Sequence, residues 1–330
     1  MSEDQYYSPS SSPPRKSKRL TSPSSSSPSS PSSPSSPSSS SSSSLYPTIQ
    51  EYIDSMYEKQ QYINENYSPK DLCNLVGGID DKDFKLMSEQ GVNSKVYKLI
   101  HKYHLAIKVV KTDAESENEY KRYSEFSPFN PEGPGLLNFP VVFEHIECEA
   151  CNPKKAGSEH CTMFISELYD GSLFSIKKEF MLRQNKIKII SMLIQVIIAC
   201  LALENKGLVH GDLHTGNILY KNVDENSTLE YSIEGEDFEI GTYGKLWVLW
   251  DFGNMVENGK TINLRGGEEK GGETLQAINT VQTDIEKLST LLGLRNRGFA
   301  PLVKIIDDNG KCRDLLIYLV DLYKKEIALA

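Results

Sequence analysis

The sequence predicts an α+β fold, with strand-like runs in the middle of the chain and helical stretches before and after them. Three observations carry this. Residues 105–110, 139–146 and 162–168 are apolar runs of strand length. Ile187, Ile190, Ile194, Ile197, Ile198 and Leu201 recur at helical spacing. A polar loop, His210-Gly211-Asp212-Leu213-His214-Thr215-Gly216-Asn217, separates two further short apolar runs.

Residues 1–44 are dominated by serine and proline, with almost no large apolar side chain after Tyr7. Such a segment cannot bury enough surface to offset its ordering entropy, so it is expected to be a disordered tail. Its Ser-Pro repeats offer sites for proline-directed phosphorylation. Arg15-Lys16-Ser17-Lys18-Arg19 reads as a solvated basic cluster or a short nuclear-localisation signal. Residues 45–83 read as a helical extension, with Tyr46, Ile49, Tyr52, Ile53, Met56 and Tyr57 on the face that packs against the strand-bearing part of the chain.

Residues 84–169 hold the strand-like runs. Lys108 is flanked by apolar residues, and a lysine on a buried strand is costly unless it has a partner. Residues 113–126 read as a helix and offer Glu115, Glu117, Glu119 and Glu125. Residues 170–330 begin with the stripe from Ile187. Lys186, Lys188, Gln195 and Glu204 interrupt it too often for lipid, so it predicts a core helix and no membrane span. The absence of a signal-peptide pattern predicts a soluble, intracellular protein. A net charge of −9 argues against generic nucleic-acid binding.

Six cysteines in such a chain suggest thiols or metal ligands, not a disulfide frame. Cys148 and Cys151 have zinc-ligand spacing. Asn152-Pro153 and Gly157 suggest a turn that returns to His160 and Cys161. These four residues, with His145 as an alternative ligand, define a candidate structural zinc site at a hairpin end. The other reading is an ordinary loop with free thiols.

Asp212 precedes Asn217 by five residues, and Asp251 comes directly after the apolar run Val248-Leu249-Trp250. An aspartate near an asparagine is commonly only a turn or a helix cap. Phosphoryl transfer, however, needs this set: a carboxylate to accept the proton of the attacking hydroxyl, a neutral oxygen ligand for Mg²⁺, and a second carboxylate for the metal. His210, Asp212, Leu213 and Asn217, followed by Asp251-Phe252-Gly253, match the pattern His-x-Asp-Leu-x-x-x-Asn and Asp-Phe-Gly in order. The chain therefore resembles the protein kinase superfamily.

The resemblance implies a bilobal kinase-like fold, with a small antiparallel-sheet N-lobe and an abbreviated, mostly helical C-lobe. It covers roughly residues 84–292, closely around Asp212 and loosely elsewhere. Leu105-Ala106-Ile107-Lys108 is similar to the strand whose lysine grips the α- and β-phosphates. Gly91 is the one glycine left in the expected phosphate loop, which Val96 closes. Glu119 is the implied partner of Lys108, with Tyr123 and Phe126 facing inward. Residues 163–173 resemble the hinge, where backbone groups of Glu167 and Tyr169 would face adenine and Ser166 would line the pocket's back wall. Asp284 resembles the aspartate that braces the catalytic loop. By this resemblance Asp212 is the base, Asn217 and Asp251 hold Mg²⁺, Lys108 orients ATP, and His214 lies near the γ-phosphate.

Departures from the pattern shape the expected activity. Gly211 replaces arginine, the usual partner of a phosphorylated activation loop, which predicts activity without prior phosphorylation. His214 stands where protein-serine/threonine kinases carry lysine. This variant is also found in aminoglycoside and other small-molecule phosphotransferases, and in the serine/threonine kinases of large DNA viruses of the iridovirus and poxvirus type. The span between Asp212 and Asp251 is long and holds an acidic insertion, 224–239, that reads as a surface hairpin tip. The favoured expectation is a Mg²⁺- and ATP-dependent kinase of protein serine and threonine hydroxyls, in host cytoplasm, nucleus or virion if viral. The alternatives are a small-molecule phosphotransferase and a catalytically weak kinase-like scaffold, the latter suggested by the eroded glycine loop.

Overall fold

Leu105, Ala106, Ile107 and Lys108 are all buried in strand β3 (His104–Lys111), and all seven residues of β5 (Cys161–Glu167) are buried. Runs without polar alternation belong inside a sheet that is covered on both faces. A computed structural model describes residues 46–68, 70, 72–73, 84–90, 94–100, 103–149, 160–233, 235–259, 261–263, 276–278 and 280–329. The fold is mixed α+β, with antiparallel sheets and seven α-helices among the described residues. With β1 (Phe84–Gln90), β2 (Ser94–Ile100) and β4 (Val142–Cys148), these two strands form a five-stranded antiparallel sheet in the order β1-β2-β3-β5-β4.

Helix α1 (Ile49–Asn66) precedes the sheet. Thr48 and Glu51 form a capping box, which satisfies amides that the first turn leaves unpaired. The buried stripe is Tyr52, Met56, Lys59 and Ile63, whereas Tyr46 and Tyr57, expected on that face, are exposed. Ile49 and Ile53 are partly buried against the same core, and Lys59 joins the stripe. Helix α2 (Ala114–Phe126) comes after β3 and is started by Asp113, whose carboxylate accepts from Glu115 N and Ser116 N, each at 3.0 Å.

The described residues after 170 mix helices with short strands. They contain α3 (Leu173–Phe180), α4 (Lys186–Asn205), α5 (Val281–Leu292), α6 (Ala300–Asp307) and α7 (Cys312–Leu329). By length and composition, the segment Arg183–Asn205 could cross a membrane, but 78% of its apolar window is buried inside the protein. Its Gln195 is fully buried and accepts from Trp247 N at 2.9 Å, as a core helix requires. Short strands β6 (Gly171–Ser172), β8 (Ile218–Asn222) and β11 (Lys245–Leu249) pair in the order β11-β8-β6, and β7 (Leu208–Val209) pairs with β12 (Val256–Glu257).

The acidic insertion does form a hairpin, of β9 (Thr228–Ile233) and β10 (Glu236–Gly241). It is more than a surface tip. Leu229, Tyr231 and Ile240 are buried, and Tyr231 donates to Asn138 at 2.8 Å, so one face of the hairpin joins the core. The cysteine expectation also needs correction. Cys73 and Cys148 form a disulfide that joins the segment after α1 to the end of β4. The tail, residues 1–44, lies outside the described residues.

Candidate active site

One helix and one strand end converge on Lys108, which lies inside β3. Its ammonium lies 2.6 Å from Glu119 Oε1, on α2, and 2.7 Å from Asp251 Oδ1, just past β11. Lys108 and Glu119 are buried, and Tyr123 donates to the same Glu119 oxygen at 2.5 Å. Burial is the largest influence on Lys108 and works to lower its pKa, but the two carboxylates overcome it and hold the lysine above its usual value. Burial also pushes Glu119 up, against the pull of Lys108. Asp251 ends below the ordinary carboxylate range, because Lys108 and its hydrogen bond outweigh desolvation. One cation thus favours the charged form of the Asp251 carboxylate.

Asp251 adopts φ +68°, a left-handed conformation that aspartate tolerates better than most residues. Backbone of this kind persists only where its surroundings hold it, and it gathers at functional sites. Here Phe252 is fully buried, with its ring 5.3 Å from Tyr123 and 5.7 Å from His210. His210 Nε2 bonds to Trp250 O at 2.9 Å; a carbonyl only accepts, so this nitrogen carries the proton.

The loop from Gly211 to Asn217 faces this cluster. Strand β8 pairs with β11 so that Ile218 opposes Leu249, and Trp250 N donates to Asn217 O at 2.9 Å. Asn217 therefore sits across from the residue that precedes Asp251. Its amide NH₂ donates to Asp212 O at 3.1 Å, which leaves its side-chain oxygen as a neutral donor. Gly211 takes φ +79°, which glycine adopts without steric cost. Buried Asp284, on α5, accepts from Gly211 N at 2.9 Å and from Leu213 N at 3.3 Å, the brace expected of it.

His214 folds back over its own loop. Gly216 N donates to its Nδ1 at 2.9 Å, and Nε2 stands 3.7 Å from Asp212 Oδ2. A Cβ at position 216 would lie 2.7 Å from the His214 ring, so the glycine makes room for the imidazole. The ring is thereby turned toward Asp212.

The hinge-like segment differs most from expectation. Glu167 is expected to act through its backbone, but its fully buried carboxylate takes Lys59 Nζ at 2.5 Å and Lys221 Nζ at 2.6 Å. Tyr169 is buried, and its hydroxyl accepts from Val141 N at 3.2 Å. Ser166 is fully buried, and Val96 pairs with Lys108 across β2 and β3. Gly91 lies outside the described residues. Lys59, Lys221 and Lys287, which bonds to Asp212, were not anticipated. Only Lys59 left a signal, as a lysine on the 52/56/59/63 apolar stripe.

The donor set of Asn217 and Asp251, one amide oxygen and one ionised carboxylate, fits a hard divalent cation such as Mg²⁺. The proposed zinc ligands do not fit as a set. Cys148 is bonded to Cys73, and a disulfide sulfur is not a thiolate ligand. Cys161 is buried opposite Cys148 across β4 and β5, His160 is exposed, and Cys151 lies outside the described residues. His145, the alternative ligand, instead stacks on Tyr120 with ring centres 3.7 Å apart. The sequence matches no protein-family model, and no curated protein matches it.

Proposed function

We propose that this protein is a Mg²⁺- and ATP-dependent phosphotransferase with a bilobal kinase-like fold, acting on serine and threonine hydroxyls of proteins. The observation that carries the reading is Lys108 held between Glu119 at 2.6 Å and Asp251 at 2.7 Å, beside a loop that presents Asp212 and Asn217. A buried lysine fixed by two carboxylates is poorly explained as packing, since desolvating such a charge cluster commonly costs more than an apolar replacement. In this reading Lys108 orients the α- and β-phosphates, Glu119 holds Lys108, and Asp212 accepts the proton of the acceptor hydroxyl. Asp251 and Asn217 would hold Mg²⁺, which neutralises charge on the phosphates. The backbone of Glu167 and Tyr169 would meet adenine, and Gly91 with Val96 would cover the phosphates. His214 is the one feature that favours a small-molecule acceptor.

Labelled ATP, Mg²⁺ and a mixture of serine- and threonine-bearing proteins provide the test, with an aminoglycoside as a competing acceptor. Transfer to protein is expected. Asp212→Asn should lower kcat about 100-fold or more while ATP affinity stays near the parent value. Transfer only to the small molecule would replace the protein-kinase reading. A mutant as fast as the parent would remove Asp212 as the base.

A further inference from the structure

The catalytic loop of the proposed phosphotransferase lacks both of its usual cations. Position 211 is glycine, and position 214 is a histidine whose Nδ1 accepts from Gly216 N. Nδ1 is thus occupied as an acceptor and offers no hydrogen to Asp212. Asp212 nevertheless has a cation. Lys287 Nζ, from α5, lies 3.0 Å from Asp212 Oδ1.

An exposed ion pair is commonly worth little, and the Lys287 side chain is 47% exposed. Its placement, however, is fixed by something firmer. Asp284, three residues earlier on the same helix face, is buried and holds the backbone amides of Gly211 and Leu213, on either side of Asp212. The helix that carries Lys287 is thus clamped to the loop that carries Asp212. Of the two carboxylate oxygens, Oδ1 is taken by the ammonium, and Oδ2 has His214 Nε2 only at 3.7 Å.

We propose that Lys287 is a positioning residue that replaces the missing loop cation: it holds Oδ1 of Asp212 so that Oδ2 faces the acceptor hydroxyl. This rests on the phosphotransferase reading. In the step served, Oδ2 takes the hydroxyl proton while the acceptor oxygen forms a bond to the γ-phosphorus. The bond from that phosphorus to the β,γ-bridging oxygen breaks, and ADP leaves with the electron pair.

The test compares the full-length parent with Lys287→Met, Lys287→Arg and Asp212→Asn, using Mg-ATP and the protein acceptor that the parent phosphorylates best. Lys287→Met should lower kcat roughly tenfold or more, with KM for ATP and melting temperature unchanged, because the loss is confined to the chemical step. Lys287→Arg should recover most of the rate. A parental kcat in Lys287→Met overturns the proposal. So does a loss that tracks a fall in melting temperature and that arginine does not restore, which would make the pair structural. If Asp212→Asn is inactive while Lys287→Met is normal, only the Lys287 proposal falls. A parent that transfers no phosphate to any acceptor takes the kinase reading and this proposal down together.

Discussion

Asp251 shows how much a single residue is asked to do. It is held in a left-handed backbone conformation, shares an ammonium with Glu119, and is displaced downward in pKa. A carboxylate with a depressed native pKa adds stability that is fully present above its unfolded value, about 4. That contribution is lost as pH falls through the lower native value. Glu119 is shifted the other way, so its contribution falls at higher pH, above about 4.3. Below pH ~4 the unfolded chain takes up the proton of residue 251 before the native protein does. Melting temperatures of the parent and of Asp251→Asn, measured from pH 5 down to about 2.5, should therefore converge toward the acid end. A constant gap between the two curves would show that Lys108 does not hold Asp251 ionised.

Single residues also mark how far the sequence could be read. Asp212, Asn217 and Asp251 are legible because each belongs to a local pattern beside paired strands, and Asp284 because it stands in the first turn of a helical run. Glu119 was legible as one of four acids on a short helix, and burial with Lys108 distinguishes it from the others. The partners of Glu167 were not legible. Lys59 and Lys221 reach it from far along the chain, and no local periodicity encodes such a meeting. Lys287 was hidden for the same reason.

At the scale of elements, the end of β4 is where local spacing misled. Cys148 and Cys151 are close in sequence, but the neighbour of Cys148 is Cys73, 75 residues earlier. A cross-link over that span restricts the unfolded chain by about 4 kcal/mol in the loop-entropy account. Reduction should accordingly lower the melting temperature, and non-reduced peptide mapping should join Cys73 to Cys148. A chelator should leave the oxidised protein unchanged. One zinc per chain in freshly purified protein, lost with Cys148→Ser, would instead restore the metal reading. The hairpin of β9 and β10 carries a related lesson. Its acidic composition suggested a surface tip, whereas Leu229, Tyr231 and Ile240 point one face into the core.

Across the whole molecule, one hydrophobic core runs from α1 through Phe252 to α7, so the sheet and the helical part are continuous. Helix α1 and the residues just before it reach both. Gln60 donates to Phe143 O, at 3.0 Å, on β4, while Pro47 O accepts from Asp224 N, at 2.7 Å, beyond β8. Between these, Lys59 meets the buried Glu167 carboxylate. Lys59→Met should cost about 2 kcal/mol, since it strips a charged hydrogen bond from a buried group that keeps only Lys221. Denaturant unfolding checks this, and an unchanged midpoint would assign the helix to simple apolar packing.

Viewed as mechanics, α1 is a splint laid against the segment that follows β5. The segment from Glu167 to Asp170 is where a two-part molecule would bend, and it is fastened on one side by Lys59 and on the other by Lys221. Bending there would have to stretch an ionic fastening that has almost no water to replace it. A displacement of α1 would therefore be passed through Lys59 to this segment.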